Sequence, residues 1–180
     1  PNKIDTYLKL LRNKDDHSLC HEDNDIHTGT CQNQLGCIHN NPNISRIGTG
    51  TFTDANDGFI AMTYYDIIQA TQNNAVQILL DSYYYEDPLT TAGGEYIVSI
   101  RDTSLISSTF NYNNTIWESD FLFLSQEDVD NGYVVVDLDV DLTPGAYYIC
   151  IEMYSNGNES PIYILDDETT PQPANMTMIY

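Results

Sequence analysis

The sequence predicts an all-β fold, an antiparallel β-sandwich of jelly-roll type, and three observations predict it. Val134, Val136, Leu138, Val140 and Leu142 alternate with Asp137, Asp139 and Asp141, the period of two expected of a strand with one wet face. Short apolar runs recur through the second two-thirds of the chain, separated by turn residues and with little helical periodicity between them. Tyrosine, a residue that strands favour, occurs fourteen times. At 180 residues the chain has the length of one domain with a core of its own. A short N-terminal helix and a long Cys/His-containing loop region are expected at residues 1–57, and the sandwich at 58–180.

The elements follow in order. Ile4, Tyr7, Leu8 and Leu11 fall at helical spacing, with the bases on the other side, so residues 2–14 predict one amphipathic helix. Three to four turns are marginal alone, and such a helix must dock. Residues 15–57 hold all four histidines and three of the four cysteines among few apolar residues; they read as a long ordered loop, and a loop of that length needs a function or a staple. From Gly58 onward come GFIAMTYY (58–65), VQILLDSYYY (76–85), EYIVSIR (95–101) and TIWESDFLFLS (115–125), each read as a strand. YDIIQAT (65–71) competes as a helical turn.

The stretch from Gly132 to Tyr180 organises the rest. Its first strand carries the alternation described above. Thr143-Pro144-Gly145 then turns the chain, since proline presets φ and glycine accepts a positive φ. In the next strand Tyr147, Ile149, Ile151 and Met153 share one face and Tyr148, Cys150, Glu152 and Tyr154 the other. So short a turn predicts that these two strands pair antiparallel. A short third strand, a polar excursion at 166–174 and a final apolar edge at 176–180 complete the set.

The formal charge is −21, with a pI near 4.1. This argues against nucleic acid and anionic membrane as partners. Of six basic residues, Lys3, Lys9, Arg12 and Lys14 lie in the first fourteen positions, leaving Arg46 and Arg101 for the acidic body. No apolar run is long enough to span a bilayer, so no membrane insertion is expected. The chain starts with Pro and stops within an apolar segment, and both ends read as cuts in a longer protein.

The pieces GYVVVDL, TPGAYYICIEMYS and NGNESPIYILDDETTPQPANMTMIY, with IWESDFLFLSQEDVDNGY leading into them, resemble a β-sandwich module of large proteins of Bacteroidota that leave the cell by type IX secretion. The likeness covers roughly residues 95–180, and EMYSN and ILDDETTPQP are its most specific parts. It implies an exported protein, released or held at the surface of a gram-negative bacterium, with further domains. It carries over no catalytic residues.

In an exported protein disulfides are the default, so Cys20, Cys31 and Cys37 are disulfide candidates, with Cys150 either a buried free thiol or an anchor for the loop. Four cysteines allow three full pairings. Zinc is the less favoured alternative: His17, Cys20, His21, His27, Cys31, Cys37 and His39 supply enough ligands for a tetrahedral site but follow no standard spacing. Calcium requires oxygens converging from a loop. The preferred place is Asp54 and Asp57, where a turn meets a strand; Glu22–Asp25 and Glu127–Gly132 are weaker, and the Asp-Asn-Gly of the last is ordinary hairpin chemistry. Asp137, Asp139 and Asp141 read as a solvated strand face that discourages edge aggregation.

Tyr83, Tyr84 and Tyr85 stand beside Glu86 and Asp87, the combination of flat rings and polar groups that a sugar site uses. Residues in sequence on a strand alternate faces, so the plain alternative divides these rings between core and surface. No Gly-x-Ser-x-Gly elbow or phosphate loop occurs, and nothing in the sequence fixes a carboxylate pair at either glycosidase separation. The expected function is therefore a non-catalytic module of an exported surface protein, serving adhesion, ligand binding or surface architecture. The alternatives are a calcium-assisted carbohydrate-binding module and an accessory domain of a secreted hydrolase. Partners would be surface glycans, neighbouring domains of the same protein, or further copies in a self-assembly.

Overall fold

The computed structural model describes residues 8–11, 34–35, 44–50, 57–67, 70, 74–102, 115–167 and 177–179. The strands are β1 (Leu8–Leu11), β2 (Gln34–Leu35), β3 (Ile44–Gly48), β4 (Asp57–Ile67), β5 (Asn74–Leu79), β6 (Glu95–Asp102), β7 (Thr115–Glu118), β8 (Leu122–Phe123), β9 (Tyr133–Leu138), β10 (Gly145–Tyr154), β11 (Tyr163–Asp167) and β12 (Thr177–Ile179). A 3₁₀ turn spans Asp81–Tyr83, and one short helix, α1, spans Gln126–Asn131. The described chain is thus mostly antiparallel sheet with very little helix, as the strand signals predict. A four-stranded sheet has the order β2-β1-β5-β9, and a six-stranded sheet the order β12-β4-β10-β6-β7 with β8 also on β6; β11 and β3 pair separately.

The alternation in the sequence translates directly into burial. Val134, Val136, Leu138 and Leu142 are buried, whereas Asp137, Asp139 and Asp141 are exposed. Ile149, Ile151 and Met153 of β10 enter the same apolar cluster as Val134, Val136 and Leu138 of β9, and β4, β5, β6 and β11 contribute to it as well. The other face of the six-stranded sheet is also apolar at its centre, where Ile60, Met62, Tyr148 and Cys150 form a second buried cluster. Cys150 is a free thiol, which removes it as an anchor for a cross-link.

Several expectations are corrected. The backbone of Leu8–Leu11 is a strand, not part of a helix: Leu8 to Leu11 lie opposite Ile78 to Ala75. Pairing with β5 satisfies that strand's backbone groups on its outer side, whereas a helix of a few turns has little stability of its own. The region read as loop contains β2 and β3, and β3 pairs with β11 through Ile47 opposite Ile164. Tyr65–Ile67 continues β4 opposite Tyr147–Gly145 and makes no helical turn.

The hairpin expected between β9 and β10 does not form. β9 pairs with β5 in the four-stranded sheet, and β10 lies between β4 and β6 in the six-stranded one. The 139–144 connection therefore passes from one sheet to the other. A short connection serves either path, because both leave the apolar faces of the two strands in one core. Cys20, Cys31, Cys37, the four histidines, Asp54 and the side chain of Asp57 lie outside the described residues.

Candidate functional site

The tyrosine run is not on a strand. β5 ends at Leu79, and Leu80 donates its N–H to Gly132 O at 2.9 Å. The chain then turns because Asp81, fully buried, gathers donors from both sides. Its Oδ2 accepts from Leu89 N at 2.7 Å and from Arg46 Nη1 at 3.1 Å, and its Oδ1 accepts from Thr90 N at 3.2 Å. One carboxylate thus closes the 81–90 loop onto β3, from which Arg46 reaches. Such charge-assisted bonds are stronger than neutral ones. Thr90 fixes the far side, donating its hydroxyl to Tyr163 O and accepting from Tyr163 N, both at 2.9 Å.

The three tyrosines consequently take different roles. Tyr83 and Tyr84 are 38% and 49% exposed. Tyr85 is held: its hydroxyl donates to Ile44 O at 2.8 Å, Arg46 lies 4.6 Å over its ring, and Tyr84 meets it edge-on at 5.3 Å. A cation over an aromatic face is an attractive contact. Tyr85 is a rigid wall rather than a free stacking platform.

Facing this loop is α1, where the sequence pattern pointed to a hairpin turn. Ser125 Oγ accepts from Asp128 N at 3.1 Å, and Ser125 N donates to Asp128 Oδ2 at 2.8 Å, a reciprocal capping box. Gly132 ends the helix at φ 76° and donates to Asp128 O and Val129 O, the αL stop for which glycine is favoured. Gly132 also lies against the 3₁₀ turn: a Cβ there would stand 2.5 Å from Tyr83 Cα. The helix and the tyrosine loop are therefore in register with each other through backbone contact.

Between them lies a cleft of about 440 Å³. The loop contributes Ser82, Tyr85, Glu86 and Pro88, the following segment Thr90, Thr91 and Ala92, and α1 Gln126, Val129 and Asp130. Gln126 Nε2 donates to Asp130 Oδ1 at 2.8 Å, aligning the amide and the carboxylate on one side of the helix. Ser82 Oγ is buried beneath the cleft wall. The cleft thus presents hydroxyl, amide and carboxylate groups beside an aromatic wall.

Of the sequence candidates, the structure brings Tyr85 to the cleft, while Tyr83 and Tyr84 are exposed and do not line it. The weak calcium motif at Glu127–Gly132 is replaced by a helix in which Asp128 caps and Asp130 accepts from Gln126. Among the described residues no group of three or more His, Cys, Asp and Glu stands close enough to hold a metal ion; Asp54 and the Asp57 side chain fall outside that set. Sequence reasoning missed Gln126 and placed Asp130 in a calcium motif rather than on a helix beside the cleft. The pattern Ser125-x-x-Asp128 was the signal that could have found the helix and both of them. No protein-family model matches the chain, and neither a curated protein nor a solved structure matches it.

Proposed function

We propose that the chain is a non-catalytic ligand-binding module of an exported surface protein, built as a β-sandwich of jelly-roll type, and that the cleft beside Tyr85 takes a glycan. The sandwich reading rests on the single apolar cluster to which both large sheets contribute, and on a chain that passes between sheets from β4 to β5 to β6 and again from β8 to β9 to β10. The exported setting rests on the acidic composition and on the likeness of residues 95–180 to secreted modules. The observation that carries the ligand class is the mixed lining of the cleft, where Thr91, Gln126, Glu86 and Asp130 stand beside the held Tyr85 ring. Donors and acceptors placed beside a fixed aromatic wall suit a polyhydroxylated ligand that is oriented rather than cleaved. Calcium bound through Asp54 and Asp57 belongs to the same reading as an assisting ion.

A glycan-array screen of the purified chain, in calcium and again in chelator, tests this. Signals that Thr91→Val and Gln126→Ala abolish support the cleft as the site, and signals lost in chelator add the calcium ion. An array blank in both buffers sinks the glycan reading and leaves a spacer between neighbouring domains as the working function.

A further inference from the structure

A second surface, on the outer face of the six-stranded sheet, carries an inference independent of the cleft. Phe123 of β8 lies opposite Glu95 of β6, and Glu95 opposite Tyr154 of β10. Phe121 precedes β8 and meets the Tyr154 ring at 5.7 Å. In the neighbouring row Ile97 pairs with Glu152, whose carboxylate accepts from the Tyr154 hydroxyl. Phe121 and Phe123 are 54% and 60% exposed, the most exposed large apolar side chains among the described residues. Their neighbour Leu122 turns inward onto the core, so the strand directs two phenyl rings to solvent by its own alternation.

Among the described residues, the charge around these rings has one sign. Glu95 and Glu152 flank them, and Glu118 and Asp120 lie at the β7–β8 end of the face. The described cation of the face, Arg101, is 1% exposed and directs its guanidinium to Ser99, Thr115 and Glu118. We propose that this face is a docking surface for an extended, basic and amphipathic protein segment, with Arg or Lys side chains alternating with aliphatic ones. Aliphatic anchors would cover Phe121, Phe123 and Ile97, and the cations would pair with Glu95 and Glu152 or lie on the ring faces. A second copy of this chain is a poor occupant, because each copy carries a formal charge of −21. The phenyl rings, unlike tyrosine or tryptophan, bring no hydrogen-bonding edge for a sugar.

The test titrates a fluorescein-labelled peptide of alternating arginine and leucine into the full chain, followed by anisotropy. The variants are Phe121→Ser/Phe123→Ser, which leaves every charge in place, and Glu95→Gln. The proposal expects saturable binding that weakens about tenfold in the double phenylalanine variant, and less in Glu95→Gln, with thermal melts unchanged in both. Equal affinity for the double variant and the parent overturns it, since binding would then be bulk attraction to an acidic protein. Absence of binding overturns it, and so does equal binding of a glutamate–leucine peptide. Array glycan signals lost in the double variant, with no peptide binding, overturn it in favour of a sugar surface.

Discussion

Removing the Asp81 carboxylate should weaken the fold and the cleft together, by an amount that its partners set. In Asp81→Ala three donors lose their acceptor: Arg46 Nη1, Leu89 N and Thr90 N. Thr90 is 3% exposed, so its N–H is left dry, at about 1–3 kcal/mol. Leu89 is 42% exposed, and its N–H regains water, leaving about 0.5–1 kcal/mol. The Arg46 side chain is 28% exposed and keeps Asp87 O and the Tyr85 ring, so its loss stays near about 1 kcal/mol. Together the substitution costs about 2.5–5 kcal/mol, on the order of 10 °C in Tm for a domain of this length. Arg46→Met alone should cost only about 1 kcal/mol, because Asp81 keeps its two backbone donors. Urea unfolding of parent, D81A, R46M and the double variant measures this, and the cycle isolates the pair. If D81A unfolds within about 0.5 kcal/mol of the parent, Asp81 does not hold the loop, and the account of how the cleft wall is positioned fails with it.

Two further perturbations probe the same frame. Gly132→Ala combines a positive φ with a Cβ 2.5 Å from the Tyr83 backbone, and should cost about 3–5 kcal/mol; a melt close to the parent's would mean that α1 and the tyrosine loop are not in contact. Cys150 is 1% exposed and burial pushes its thiol from 9.0 up to about 12, so a thiol reagent at pH 8 should label the chain's Cys150 only after unfolding. Because the folded pKa is raised, this group's contribution is intact below pH 9 and is lost as pH rises toward 12, at up to about 1.4 kcal/mol per pH unit. Tyr96, raised by burial above its usual 10.0, steepens the same alkaline loss. An identical alkaline slope in Cys150→Ala and the parent would refute the assignment to this thiol.

What the sequence disclosed and what it withheld divide along the range of the interactions. The period-two patterns of β9 and β10 were legible because burial on a strand depends only on neighbours two apart, and those faces are buried as read. Their pairing was not legible. Val134 and Ile149 enter the same core whether the strands sit side by side or in separate sheets, and the Thr-Pro-Gly signal is silent on the choice. Leu8–Leu11 fits a helical stripe equally well, and pairing with β5, more than sixty residues away, and with β2 decides for a strand. α1 was the opposite case, a local signal passed over: Ser125 with Asp128, and Gly132 after Asn131, are a start and a stop for a helix.

The cleft depends on both kinds of information, which explains why only part of it could be anticipated. Tyr83–Tyr85 stand out by composition, yet their placement comes from Asp81, whose donors arrive from positions 46, 89 and 90. An acidic residue in an acidic chain carries no mark of being buried. Its burial follows from three converging donors, two of them backbone groups that no side-chain pattern encodes. The same logic separates the two surfaces. At the cleft, polar groups are fixed by bonds made far along the chain, which suits orienting a small polar ligand. At Phe121 and Phe123 the strand's own alternation places rings outward between carboxylates, which suits a larger partner whose affinity comes from covered apolar area and opposite charge. Substitutions at one should therefore leave the other unchanged, since they share neither a side chain nor the loop that Asp81 closes.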